Sequence, residues 1–342
     1  MKDLTTRAAA AGTTASTTSN TDARDESATG APPAERPAAA TPTSEPAAAA
    51  VTRSFGRDLV MLTKPRIISL LLVTTIAPMF VAGRPSWWLV LVVTVGGYLM
   101  AGGANAVNMY LDRDIDDVMS RTRLRPIPSG RLAATSVVAF GVALATAATF
   151  LLAHFANVAT AMLALAGFYF YVFIYTRWLK RSTPQNIVIG GAAGAFPPLV
   201  GWAAVTGGVD LVAAYLFLII FYWTPPHFWA LALLKQKDYG KAGVPMAPLV
   251  WGERETMDQM LWYTLILVPI TLLPAAFGAF GAVYAISAFL LGAWLLIGVL
   301  RVRALDRRGA VWTKAAWSVY KYSLLYLALL FVAMVVDRQL AR

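Results

Sequence analysis

Three long stretches of the chain carry almost no charge: residues 132–176 and 259–300 contain no Asp, Glu, Lys or Arg, and residues 182–234 contain only Asp210. A bilayer span needs about 20 consecutive apolar residues, so each stretch has room for two. In hydrocarbon every backbone polar group must be satisfied internally, which leaves helices or closed barrels. Barrel strands would alternate apolar and polar residues over about ten positions, and no such alternation occurs. The expectation is an all-α polytopic membrane protein with nine transmembrane helices. They fall at residues 67–82, 87–111, 132–153, 157–176, 185–206, 211–234, 259–280, 282–300 and 316–336.

Composition supports that class and removes others. Hydrophobic residues make up 58% and charged residues 14% of the chain, against about 25% charged in an average soluble domain. Cysteine is absent and histidine occurs twice. Disulfides, thiolate nucleophiles, iron–sulfur clusters and histidine-rich metal cages are therefore excluded. The formal charge of +11 is positional. Alternate connectors from Arg53 to Lys314 collect 21 Lys and Arg residues, against Arg84, Arg338 and Arg342 on the other side. Such a bias predicts a cytoplasmic N-terminus, with the basic connectors inside and the C-terminus outside. It also leaves no ground for a nucleic-acid partner.

Residues 1–50 form a separate compositional region, with 35 of 50 positions occupied by Ala, Thr, Ser or Pro. A segment with so little apolar bulk cannot offset chain entropy and is expected to be disordered. The expected organisation is a tail over 1–55 and a membrane domain over 56–342.

Two connectors on the basic side carry unusual chemistry. The first, after the second span, reads NAVNMYLDRDIDDVMSRTRLRPIPSGR over residues 105–131. Asn108, Asp112 and Asp116 are four apart, so they share a face if the helix continues to its charged end. Carboxylates at that spacing repel, and the C-terminal pole of a helix disfavours anions. A divalent cation would resolve the conflict, and oxygen-only ligands suit Mg²⁺. Arg121, Arg123, Arg125 and Arg131 follow as phosphate-binding groups. The plain alternative is a solvated basic loop with incidental acids. Asn105 and Asn108 weigh against it, because polar groups within an apolar helix are costly and default to functional candidates.

The second connector, TPPHFWALALLKQKDYGKAGVPMAPLVWGER over residues 224–254, repeats the plan of the first. A long apolar helix ends in a polar cluster (Lys235, Lys237, Asp238 and Tyr239) and then a Pro- and Gly-containing loop. Taken alone, those lysines read equally well as interfacial anchors. His227 lies inside the sixth span beside Pro225 and Pro226, and a lone histidine there is more often a satisfied bundle residue than a ligand. His154 reads as a loop residue between the third and fourth spans. Aromatic residues around Phe168–Tyr175 and Phe221–Trp229 supply faces for a flat ligand or a cation.

Asn108-x3-Asp112-x3-Asp116 resembles the first signature of the UbiA-type intramembrane prenyltransferases. NMYLDRDIDDVMSRTRLRPIPSGR, TPPHFWALALLKQKDYGKAGVPMAPLVWG and LTKPRIISLLLVTT resemble, within that superfamily, the protohaem IX farnesyltransferase (haem O synthase) branch. The similarity spans roughly residues 55–340. It implies a nine-helix bundle around a central cavity in the plasma membrane, with its active site toward the cytoplasm. It implies transfer of farnesyl from farnesyl diphosphate to a vinyl group of haem B, with addition of water, giving haem O and diphosphate. Haem B is then a substrate and Mg²⁺ the cofactor.

The resemblance also assigns roles. Asn108, Asp112, Asp116, Lys235 and Asp238 would serve catalysis, with Asn108, Asp112, Asp116 and Asp238 toward the metal. Asn105, Arg121, Arg125, Lys237, Tyr239 and His227 would bind substrate. Haem A synthase or oxidase assembly proteins would be partners, alongside the lipid bilayer. One departure matters: many relatives carry two carboxylates after the sixth span, whereas Lys235 takes the first of those positions. Either Asp238 alone meets a second Mg²⁺, or Lys235 and Lys237 bind diphosphate directly. The alternatives are a family member acting on a quinone-precursor aromatic acceptor, and a transporter. Transporters place charge and broken helices at the midplane, whereas the acids here lie at the rim.

Overall fold

The computed structural model describes residues 55–305 and 309–341. Most of the expected tail lies outside those residues, as do Arg53, Arg307, Arg308 and Arg342 of the charge tally. Among the described residues every regular element is helical, and nine helices are long and apolar enough to cross a membrane. They are α1 (Pro65–Ala82), α2 (Trp87–Leu111), α3 (Ala134–Phe155), α4 (Val158–Ser182), α5 (Asn186–Thr206), α6 (Leu211–Leu234), α7 (Glu253–Ala276), α8 (Ala282–Ala304) and α9 (Ala310–Leu340).

The expected spans are all present, and their ends differ where charge begins. α7 starts six residues before the apolar run at 259, so Glu253, Arg254, Glu255 and Asp258 occupy its first turns. α9 likewise runs past both ends of residues 316–336. Apolar sequence marks only the part of a helix in hydrocarbon, while the backbone ladder continues as long as its bonds are satisfied. His154 lies in the last turn of α3 and not in a loop, exposed, with its ring against Phe155.

Local chemistry sets these boundaries. Pro65 opens α1, where its missing N–H costs nothing. Ser86, Asn157 and Asp210 cap α2, α4 and α6 by accepting the amides of Leu89, Thr160 and Ala213. α5 ends at Gly207, whose φ of 80° closes the helix. The start of α8 is capped from a distance: buried Asp337 of α9 accepts the amides of Gly281 (2.6 Å) and Tyr284 (3.1 Å). Pro225 and Pro226 do not break α6, which runs unbroken through them.

Every span packs on its neighbours in sequence, and α9 returns to α1 to close the circuit. Cross-contacts brace it, the broadest being α1 with α5 and α6 with α9. Small residues permit the closest approaches, as is usual where lipid provides no hydrophobic drive between helices. A side-chain carbon on Gly103 of α2 would sit 2.5 Å from the Gly141 carbonyl oxygen of α3. One on Gly201 of α5 would collide with the Thr75 carbonyl of α1. Alternating spans bring the ends of α2, α4, α6 and α8 to one face of the bundle, with the two unusual connectors.

Candidate functional site

The acid row is built at the end of α2. The helix stops at Leu111, Asp112 takes a bridge conformation (φ −93°, ψ 7°), and a short helix, Arg113–Val118, follows. The four-residue ladder survives this bend, because Asp112 N donates to Asn108 O (2.9 Å) and Asp116 N to Asp112 O (2.7 Å). Asn108, Asp112 and Asp116 therefore stay in register, and all three are buried. The second connector has the same design: α6 ends at Lys235 (φ −120°, ψ 21°) and Gln236–Lys241 forms a short helix.

Burying this row requires positive charge. Lys180, at the end of α4, donates to Asp112 Oδ2 at 2.5 Å, and Asn108 Nδ2 donates to the same oxygen at 2.8 Å. Arg125 donates to Asp116 Oδ2 at 2.5 Å. Arg181 grips Asp114 through both terminal nitrogens (2.6 and 2.7 Å), and this hydrogen-bonded pairing holds the Asp114 carboxyl down to about 2. Lys64 donates to Asn108 Oδ1 at 2.9 Å. Burial, and after it the charge of Arg125, brings the Lys64 ammonium down to about 7, against the pull of Asp116.

One atom stays unmatched. Asp112 Oδ1 is buried with no hydrogen-bond partner, and Arg181 Nη2, at 3.9 Å, is beyond bonding reach. A buried carboxylate oxygen without a donor is costly. With Asn108 and Asp116 in the same row, the side chains offer oxygen donors, the type a hard divalent cation takes. Among the described residues no cluster of three or more His, Cys, Asp or Glu is close enough to hold a metal. Any ion here would draw on Asn108, water or substrate oxygens as well.

α4 reaches the row by winding differently. Residues Phe170–Leu179 form a π-helix, a geometry that is rare and recurs at functional sites. Within it Thr176 Oγ1 donates to Tyr171 O (2.8 Å) and lies 3.1 Å from Asn108 Nδ2, and Lys180 follows directly. Tyr171 and Tyr175 stack on the same segment with centroids 5.7 Å apart. Lys64 also depends on its backbone. It is the one non-glycine with positive φ (57°) among the described residues. Pro65 disfavours the right-handed helical region for the residue before it, and the left-handed turn separates helix Phe55–Thr63 from α1.

The remaining candidates take varied positions. Asn105 is buried and donates to the Thr63 carbonyl (3.0 Å), so it secures the Lys64 turn. Ser120 donates to Asp238 at 3.1 Å, and Arg121 lies 5.8 Å from the centre of the Tyr239 ring. Burial raises the Tyr239 phenol above its usual range, opposed by Arg121. These contacts clamp the two connectors together beside a cleft of about 180 Å³ lined by Asp114, Arg181 and Gly243. Lys235 lies over the Trp317 ring (5.7 Å), and Lys237 is exposed.

His227 is elsewhere, buried in the bundle between the rings of Trp223 (4.4 Å) and Tyr320 (4.8 Å). Its Nδ1 is 2.8 Å from Ser323 Oγ, which is also 2.8 Å from the Tyr320 carbonyl. Sequence reasoning counted Lys64, Lys180 and Arg181 only as topological charge and passed over Thr176. Their shared signal was available: each flanks the end of a span on the face that carries the acids.

Known proteins resemble this chain at several levels. The model of the UbiA prenyltransferase family matches residues 70–336. A protoheme IX farnesyltransferase from Roseiflexus castenholzii is 57% identical over 258 residues, covering 75% of this chain and 48% of that protein. One from Chloroflexus aurantiacus is 53% identical over 262 residues, covering 76% and 45%. The chain thus spans about half the length of these relatives. A relative of the same name from Symbiobacterium thermophilum is 54% identical over 253 residues, covering 72% of this chain and 85% of that protein. Among solved structures, a digeranylgeranylglyceryl phosphate synthase superposes with a TM-score of 0.67 at 18% identity, covering 82% of this chain and 98% of that one. A UbiA homolog from Archaeoglobus fulgidus bound to GPP and Mg²⁺ gives 0.59 at 14% identity, covering 81% and 99%.

Proposed function

The chain belongs to the UbiA prenyltransferase family, and from that premise we propose that it transfers the farnesyl group of farnesyl diphosphate to a vinyl group of haem B. The products are haem O and diphosphate. Supporting the acceptor is identity above 50% with relatives named protoheme IX farnesyltransferase, one of them covered over most of its length. The single observation that carries the chemistry is the buried row of Asn108, Asp112 and Asp116, ringed by Lys64, Arg125, Lys180 and Arg181.

In the proposed reaction the C1–O bond of farnesyl diphosphate breaks and its electron pair leaves on the diphosphate. The vinyl π electrons close on C1, and water adds to the resulting cation and loses a proton. Charge on the leaving group is the main obstacle, and fixed cations in a poorly hydrated site offset it best. Lys180, Arg125 and Lys64 already converge on the row and would present N–H donors to the diphosphate oxygens. Asn108, Asp112 and Asp116 fit Mg²⁺, with the unpaired Asp112 Oδ1 as the most available ligand atom. A bound Mg²⁺ would supply further neutralisation of the departing diphosphate. Tyr171 and Tyr175 offer π faces to the allylic cation.

The connector clamp supports the other proposed roles. Arg121 and Tyr239 would close over the diphosphate, and Asp238, held by Ser120, would reach a second metal or a water. Lys235 and Lys237 would add positive charge at the entrance. Asn105 would act by positioning Lys64. His227 would meet the haem. The His227 Nδ1 lies 2.8 Å from Ser323 Oγ, which would hold the ring in a fixed orientation toward the haem iron or the haem edge. The basic bias of the connectors supports a plasma-membrane protein with this face in the cytoplasm. Haem A synthase or oxidase assembly proteins are the proposed recipients of the product.

The test is incubation of the purified protein in detergent with haem B, farnesyl diphosphate and Mg²⁺, read by mass spectrometry. A hydroxyethylfarnesyl haem is expected, and excess chelator should abolish it. Absence of that product, with prenylation of an aromatic acid supplied in its place, would transfer the reading to a quinone-precursor acceptor.

A further inference from the structure

The larger of the two cavities described, about 320 Å³, lies apart from the acid row in a groove between α8 and α9. Leu295 and Val319 form its buried floor, and Gly298 keeps the two helices close, since a side-chain carbon there would lie 3.2 Å from Val319. Trp294 and Tyr322 stack across its deep end with centroids 4.5 Å apart. Trp294, Ile297 and Val311 are more than half exposed, so the groove opens on the outside of the bundle. Arg301 and Lys314 line its other end, exposed and without a carboxylate partner among the described residues.

Two features select an occupant. Arg301 is seven residues from Trp294 and Lys314 eight from Tyr322, so the basic end stands about 10–12 Å from the aromatic end. That is the separation of a headgroup from the upper part of an acyl chain. The basic end is also where α8 leaves and α9 enters the membrane, at the level where long cationic side chains meet lipid phosphates. Two neighbouring cations of this face are already held by carboxylates, Arg303 by Asp258 and Arg181 by Asp114.

We propose that this groove binds one anionic glycerophospholipid, with its phosphodiester between Arg301 and Lys314 and an acyl chain along Leu295, Gly298 and Val319 to the Trp294–Tyr322 pair. The site is independent of the prenyl-transfer chemistry.

Native mass spectrometry of the full chain in detergent, titrated with phosphatidylglycerol or phosphatidylcholine, tests it. One phosphatidylglycerol should be retained in preference to phosphatidylcholine. The R301Q/K314Q double variant should lose roughly 30-fold in affinity, and K321Q, a cation of α9 outside the groove, should lose none. Equal retention of the two lipids, or unchanged phosphatidylglycerol binding by the double variant, would overturn the proposal. Should the double variant fail to fold, brominated phosphatidylglycerol provides a second measurement on the unaltered charges. It should quench a fluorescence component that W294F lacks, and equal quenching in both proteins would equally refute the site.

Discussion

Asp112 shows how much a single carboxylate can reveal. One oxygen accepts from Lys180 and Asn108 while the other, equally buried, has no donor. An arrangement selected for stability alone would not leave that atom unmatched. Asp112→Asn and Asp116→Asn keep size and shape but remove the charge. Each should lower haem prenylation by about 100-fold or more, the scale of losing a transition-state electrostatic contact. Size-exclusion profiles should stay unchanged, and near-normal turnover in both variants would remove the metal and diphosphate assignment. Lys180→Met tests the complementary charge. It strands a buried carboxylate, which typically costs about 3–5 kcal/mol, so its thermal midpoint should fall. Added Mg²⁺ should raise that midpoint more than in the parent protein, and an equal shift in both would argue that no ion replaces the ammonium.

At the scale of elements, the helix ends set the site and glycine contacts set the helices. α2 and α6 each stop at a bridge-region residue and resume as a short helix, which buries Asp112 and Asp116 at the first end and Tyr239 at the second. The π-helical segment of α4 brings Thr176 and Lys180 onto the row. α1 and α5 approach closely at Gly201, where a side-chain carbon would collide with the Thr75 carbonyl. Gly201→Ala should therefore cost about 1–3 kcal/mol of overpacking, seen as a lower midpoint of thermal aggregation. Gly194→Ala in the same helix meets nothing within 4 Å and should leave the midpoint unchanged or raised. Matching losses in the two variants would mean that backbone freedom, not helix contact, is what Gly201 supplies.

For the whole molecule, orientation and the tail are open to direct measurement. The absence of cysteine means that any introduced thiol is the single reporter. Arg123→Cys, on the acid-row face, should resist a membrane-impermeant maleimide in intact cells and react once the membrane is opened. Val209→Cys, on the opposite face, should react in both. The reverse pattern would invert the proposed topology. Deleting residues 1–50 should leave haem prenylation unchanged in the same mass-spectrometric assay, and a large loss would show that the tail takes part in the reaction.

Charge-free runs, cap residues and basic flanks are local, so the primary chain determined the number of spans, most of their boundaries and the acidic signature at positions 108, 112 and 116. Those features follow from transfer free energies and i-to-i+4 spacing, which need no partner. Which cations neutralise the acids is a different kind of fact. Lys64, Lys180 and Arg181 come from the ends of other helices, 44 to 68 residues from the side chains they bind, and nothing in their own neighbourhoods distinguishes them from lipid-anchoring charges. The same holds for His227, whose seat between Trp223 and Tyr320 joins α6 to α9. Only packing brought these groups together, because a buried charge chooses its partner by distance in space and not along the chain.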